Sequence, residues 1–431
     1  MQVPEPVRLS EMDEAQLARL MNRSGEDVGE VQEQVRKIVE DVRTRGAQAL
    51  VEAHQELSPG LTPGDFRVER EEIEQAYKQV PEEVTAHLRL AARNIRRFHA
   101  AQLELRSWQV EVAPGIVAGR KCVPMDAVGC YVPGMRAVYP STALMTIIPA
   151  VVAGVERVVV CTPAGEGLRA NPYTLVAADI AGATEIYKLG GPWAIAAMAF
   201  GVEPVPRVAK IVGPGNKYVT AAKTIVFGVV DIDSPAGPSE ALVLADAGAD
   251  ARVVALDMLA QMEHDPDAAA VLVTDHEPLA YKVRDELAAV APTLPRAEIL
   301  GQAMRYCALV VAGSLEEAID FANSYAPEHL EIIVAEPFGV LERIRNAGSI
   351  FLGPYAPVAA GDYASGTNHV LPTAAAARAF SGLSVDDFVK HPTYQYLTRE
   401  GLASIAPTIT TLAEAEGLPI HAMSVRARLE D

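Results

Sequence analysis

The sequence predicts an α/β protein with two parallel sheets, and three observations lead there. From Gly129 onward, short β-branched runs alternate with alanine-rich segments, and a second series of the same kind begins at Ala241. Regular alternation of strand and helix implies parallel strands joined by right-handed crossovers. At 431 residues the chain is also too long for one small core, and about two or three domains is the natural division.

The elements follow in chain order. Val28, Val31, Val35, Ile38, Val39 and Val42 recur at helical spacing, with Gly46 shortly after, which predicts an amphipathic helix. Leu88, Leu90, Ile95 and Phe98 suggest a second, with Arg93, Arg96 and Arg97 as its solvated face. In the first α/β series, 158–161, 185–189 and 210–212 read as strands, and 170–182 and 193–200 as helices. In the second, strands are expected at 241–245, 270–274, 308–311, 331–334 and 349–352. A seam between the two falls near 233–238. Beyond about residue 380 the strand pattern stops, which predicts an irregular or helical tail of the kind that docks on a partner subunit.

Composition narrows the function. Half the residues are hydrophobic and 22% are charged, as in a soluble globular enzyme. The net charge of −19 argues against a nucleic-acid partner and against anionic membranes. Cys122, Cys130, Cys161 and Cys307 lie far apart with no Cys-x-x-Cys pair, so they read as reduced thiols of a cytoplasmic protein. Residues 1–13 have no apolar core, so no signal peptide is expected. The uncharged stretch 137–155 is broken by Pro140, Pro149 and Gly154. It reads as a buried turn and helix, not a membrane span.

Several polar clusters could carry chemistry. Glu328 and His329 stand side by side after Pro327. They offer two proton acceptors of different basicity, suited to taking one proton from an alcohol and another from water. No Gly-x-Gly-x-x-Gly follows a strand, so any nicotinamide cofactor is held in another way. The turn Gly213-Pro214-Gly215-Asn216 is either an ordinary strand-to-helix turn or a phosphate cradle. Gln261 and His264, three apart near the end of a helix, are either two polar side chains or joint ligands of a borderline ion such as zinc. In 361–369, beyond the carboxyl end of a strand, Asp362 could ligate a metal and His369 a substrate, or the segment is a glycine-rich turn. Glu416 and His421, five apart in the tail, read alone as a surface loop.

Together these fragments resemble the histidinol dehydrogenase family. The likeness runs from about Val128 to the C-terminus. It is carried by Gly-Cys-Tyr-Val-Pro-Gly (129–134), Gly-Pro-Gly-Asn (213–216) and Pro-Ala-Gly-Pro-Ser-Glu (235–240). Gln-Met-Glu-His-Asp-Pro-Asp (261–267) and Ala-Pro-Glu-His-Leu (326–330) follow. Gly-Asp-Tyr-Ala-Ser-Gly-Thr-Asn-His-Val-Leu-Pro-Thr (361–373) and Glu-Gly-Leu-Pro-Ile-His (416–421) complete the set. Each motif is weak alone; their joint order and spacing are specific.

The resemblance implies NAD-dependent oxidation of L-histidinol to L-histidine through L-histidinaldehyde, the last two steps of histidine biosynthesis. It implies one zinc per subunit on Gln261, His264, Asp362 and His421, with His421 contributed by the tail of the other subunit. Glu328 and His329 match the acid–base pair. Ser239, His369 and Glu416 match further substrate contacts beside the ligands, Glu416 again across the dimer. Tyr131 and Asn216 match cofactor contacts. The implied architecture is two Rossmann-like domains in a homodimer with exchanged tails. It divides the chain into a helical segment 1–25, a larger domain 26–127 plus 236–380, a second domain 128–235, and a tail 381–431.

The chain departs from the family pattern at Trp193, where members commonly carry a cofactor-contacting glutamine; the indole either stacks on the cofactor or fills space. Met262 stands where alanine is usual, and 374–378 lacks a common aromatic residue, for which the sequence offers no physical reason. The nearest rival reading is a related zinc and NAD enzyme for another small polyol such as 2,3-dihydroxypropane-1-sulfonate. A zinc hydrolase and a catalytically silent binding protein are the others. Ser239, Pro327 and Asp362-Tyr363 favour the histidinol form.

Overall fold

The computed structural model describes residues 2–23, 28–103, 107–134, 138–234 and 237–430. Pro235 and Ala236 of the 235–240 motif, Ala137, residues 25 and 26 at the first expected boundary, and the Val28 side chain lie outside the described residues. The three larger sheets use β1 (Val7–Arg8), β2 (Trp108–Ala113), β3 (Ile116–Arg120), β4 (Ala127–Tyr131), β5 (Arg157–Cys161), β6 (Glu185–Tyr187) and β7 (Lys210–Val212). They continue with β8 (Asp231–Ile232), β9 (Glu240–Ala245), β10 (Ala269–Thr274), β11 (Cys307–Val311), β12 (His329–Ile333), β13 (Ser349–Leu352) and β14 (Thr393–Leu397).

Two sheets are parallel throughout. One has six strands in the order β1-β11-β10-β9-β12-β13. The other has five, in the order β8-β7-β4-β5-β6. The α/β class with parallel sheets is therefore as predicted. Every strand expected within the two series is present, because strands covered on both faces read as continuous apolar runs. All residues of β4, β9, β10 and β12 are buried. Among the described residues no helix is long and apolar enough to cross a membrane.

Several expectations need correction. The expected domain of 26–127 plus 236–380 does not hold, because the helices between 28 and 101 cover the five-stranded sheet. Val35, Val42 and Leu50 share a core with Tyr131, Ala196 and Ile211. Leu88, Ala92 and Ile95 share another with Val128, Leu144 and Val160. The sheet needs apolar cover on both faces, and these helices supply part of it. The N-terminal segment is not purely helical. It opens with β1, which lengthens the six-stranded sheet beside β11, before the helix Glu14–Met21. The tail is not strandless either: β14 pairs antiparallel with β3, which also pairs with β2. Four of its five residues are exposed, so no in–out alternation of apolar residues announced it. The helices Arg399–Ala415 and Pro419–Arg426 follow.

Another correction concerns the end of the sheet that bears the polar residues. Strand β9 lies between β10 and β12, so the strand order reverses there. Glu240 opens β9 and His329 opens β12, which puts both at the amino ends. Asp362, expected beyond a carboxyl end, instead lies 3.9 Å from His329. The chain leaving β13 turns back along the sheet through the helix Val358–Tyr363.

Candidate active site

The local sequence explains how Glu328 and His329 are presented. The helix Leu315–Tyr325 ends on Ala326, whose φ of 51° is left-handed. Pro327 then prevents any helical continuation. Glu328 follows, and His329 pairs with Ala241 of β9. The two neighbouring carboxylic side chains grip each other's backbone. Glu240 N–H donates to Glu328 Oε2 at 2.8 Å, and Glu328 N–H donates to Glu240 Oε1 at 3.2 Å. Both are buried. Arg23, buried as well, supplies the counter-charge, reaching Glu240 through Nε at 2.5 Å and Nη2 at 2.7 Å. Its guanidinium lies 3.4 Å over the Tyr325 ring, so a bidentate pair and a stacking contact fix one arginine.

His329 has a single possible tautomer. Nδ1 lies 3.1 Å from the Glu240 carbonyl oxygen, which can only accept, so Nδ1 carries the proton. Nε2 is therefore the basic nitrogen, and it is buried without a hydrogen-bond partner. Burial first, with His264 and His369 adding, pushes the His329 pKa down to about 3, so the ring is neutral at pH 7. Glu328 moves the other way. Burial raises its pKa well above the ordinary carboxyl value; the Glu240 N–H bond opposes this, and the Glu240 and Asp362 charges add to it. Two adjacent residues thus hold very different affinities for a proton.

Asp362 joins them. Its Oδ1 lies 3.9 Å from His329 Nε2 and 3.9 Å from His369 Nδ1, and burial raises its pKa to about 6. His369 Nδ1–H donates to the Asp362 carbonyl oxygen at 3.1 Å, and Nε2 accepts from the Thr142 hydroxyl at 3.1 Å. Both ring nitrogens are thus used within the chain, so an incoming group must exchange with Thr142. His264 sits at an exposed rim, yet close enough to lower the His329 and His369 pKa values. Gln261 is buried in the last turn of the helix Ala251–Met262, and its Oε1 has no hydrogen-bond partner. An orphaned amide oxygen, an imidazole and a carboxylate are a donor set that fits a borderline divalent ion. Among the described residues no three His, Cys, Asp or Glu side chains are grouped as a metal site. The expected set has only two of those types in one chain, His264 and Asp362.

The remaining expected residues lie elsewhere. Ser239, half-buried, immediately precedes Glu240. Tyr131 ends β4, and its hydroxyl accepts from Gly191 N–H at 3.1 Å. Asn216 caps the helix Lys217–Val226, its side-chain oxygen accepting from Tyr218 and Val219 N–H. That leaves its amide nitrogen to offer a ligand. Trp193 packs edge-on to His54, ring centres 5.7 Å apart, and borders a groove with Lys37, Asp41, Arg45 and Glu52. Glu416 and His421 are exposed on the tail. Among the described residues neither side chain bonds to a member of the cluster. Sequence reasoning assigned no role to Glu240, Thr142 or Arg23. Glu240 carried a signal, a charge opening an apolar run; Arg23 carried none.

Similarity to known proteins agrees with this geometry. The family model for histidinol dehydrogenase matches residues 21–429. Histidinol dehydrogenase of Methanothermobacter thermautotrophicus is 51% identical, the alignment covering 99% of this chain and 100% of the relative. That of Methanosarcina mazei is 50% identical over 98% and 97% of the two chains. The crystal structure of histidinol dehydrogenase from Elizabethkingia anophelis superposes with a TM-score of 0.92 at 40% identity, covering 100% of this chain and 98% of that one. The chain belongs to the histidinol dehydrogenase family.

Proposed function

We propose that the protein oxidises L-histidinol to L-histidine through L-histidinaldehyde, using NAD twice per turnover. The observation that carries the reading is His329 Nε2, neutral, buried and unbonded beside a carboxyl group of high proton affinity. His329 Nε2 takes the hydroxyl proton as hydride leaves the alcohol carbon. Glu328, once ionised, takes a proton from the water that hydrates the aldehyde. In that hydration His329 returns its proton to the former aldehyde oxygen, and, neutral again, it takes a proton from the resulting diol as the second hydride leaves to NAD. Gln261, His264 and Asp362, with His421 from a second copy, would hold zinc. When bound, the ion would supply Lewis-acid anchoring of the substrate's nitrogen atoms, which would orient the reacting carbon. Ser239, His369 and Glu416 complete the substrate contacts. Asn216, and Tyr131 through the Gly191 turn it holds, would border the cofactor, while Trp193 packs on His54 in place of an amide contact.

A homodimer suits the surface. Trp108, Val112 and Tyr396 on the antiparallel sheet, and Leu412, Ile420 and Met423 on the tail helices, are large exposed apolar side chains. Such a surface favours docking on another copy. Among the described residues none of the four cysteines forms a disulfide, as in a reducing cytoplasm. The test is stoichiometric: purified enzyme should form about two NADH per histidinol consumed, since each hydride carrier accepts one hydride. A hydrolase would form none, and turnover of dihydroxypropane sulfonate alone would select the polyol enzyme.

A further inference from the structure

One pair of acidic side chains beneath the site has no role in the chemistry above it. Glu331 lies two residues after His329, on the same face of β12. Asp257 lies one helical turn before Gln261 on the helix Ala251–Met262. The two carboxyl groups meet. Glu331 Oε1 also accepts Val358 N–H at 2.9 Å. Val358 opens the helix Val358–Tyr363, one turn before Asp362. Each of three elements is therefore held one step away from the residue it brings to the site.

Glu331 is buried, and no N–H or O–H group reaches its Oε2. Asp257 is half-buried and Glu331 fully so, and two carboxylates facing each other there repel unless one proton lies between them. The stable arrangement is a neutral carboxyl bonded to a carboxylate. Burial and the Asp257 charge accordingly raise the Glu331 pKa to about 8, and burial raises that of Asp257.

We propose that Asp257 and Glu331 are positioning residues, a carboxyl pair joined by one proton that fixes Gln261, His329 and Asp362 relative to one another. The inference rests on the reading of Gln261 and Asp362 as zinc ligands. Neither member is among the proposed ligands or substrate contacts; each acts through the element it holds.

The experiment measures zinc dissociation constants by competition with a chromogenic chelator, on full-length protein whose fold is checked by circular dichroism. In Glu331→Gln the amide oxygen can accept from Val358 and the amide nitrogen can donate to Asp257 without any shared proton. Zinc affinity is expected to stay at the wild-type level, as it should in Asp257→Asn. Glu331→Met keeps the volume but removes both bonds, and affinity is expected to fall about 10–100-fold, as for other outer partners of metal ligands. Asp257→Leu should give a similar loss and serves if Glu331→Met does not fold. Loss in Glu331→Gln as large as in Glu331→Met overturns the proposal, as does undiminished zinc binding by the folded apolar variants. Wild-type protein that binds no zinc overturns the ligand assignment, and this inference with it.

Discussion

The Glu240 carbonyl decides what His329 can do. By holding Nδ1–H at 3.1 Å it leaves Nε2 as the basic site, whatever is bound nearby. His329→Ala should therefore slow both oxidations, by roughly 10²–10⁴-fold for a lost general base. Glu328→Gln should impair oxidation of histidinaldehyde far more than oxidation of histidinol, each followed separately by NADH formation. Equal losses would refute the division of labour. The pH dependence has a definite sign: in its proposed role Glu328 loses its proton to act on water, and burial raises its pKa, so the aldehyde half should quicken as pH rises. A profile for that half that does not rise with pH would remove Glu328 from the step. The adjacent pair was legible in the sequence because its members are covalent neighbours. Arg23 was not, since its partner Glu240 lies 217 residues away and only the fold joins them.

At the scale of elements, the 213–216 turn shows how a short motif is held. Gly213 has φ of 120°, and a Cβ there would run into the Tyr131 carbonyl oxygen. Its N–H donates to Asp233 at 2.7 Å, and its carbonyl accepts from Lys223 at 3.0 Å. Lys223 and Asp233 form a buried ion pair. Gly213→Ala should thus lower the melting temperature and weaken NAD binding together, measured by thermal denaturation and cofactor titration. Asn216→Ala removes the cap of the following helix, a loss of about 1 kcal/mol. If Asn216 also meets the cofactor, the KM for NAD rises; stability lost with KM unchanged would make it a cap only. The buried strands were readable because β-branched runs need no exposed face. β14 escaped because its neighbours, not its own pattern, make it a strand.

For the whole molecule, two predictions concern assembly and acid. Mixing Gln261→Ala subunits with His421→Ala subunits should regenerate activity, because a hybrid dimer contains one site with an intact ligand set. No recovery after subunit exchange would refute the shared site. In metal-free protein the depressed pKa values of His329, about 3, and His369, about 4, lie below the ordinary 6.5. Their contribution to stability is present above pH 6.5 and is lost as pH falls through the folded-state values. Denaturant midpoints should therefore drop between pH 7 and about 4 in chelator-treated protein. The parallel sheets could be read from alternation alone. Which helices cover which sheet could not, because an amphipathic pattern names an apolar face without naming its partner.

Glu240 and His329 open β9 and β12, so the opposite rim of that sheet lies outside the proposed chemistry. The turns after those strands, where Asp246 accepts from Ala335 N–H, hold none of the proposed ligands or bases. Peptide grafts or fused reporters placed there should leave turnover intact, which makes that rim the natural attachment point for immobilising the enzyme.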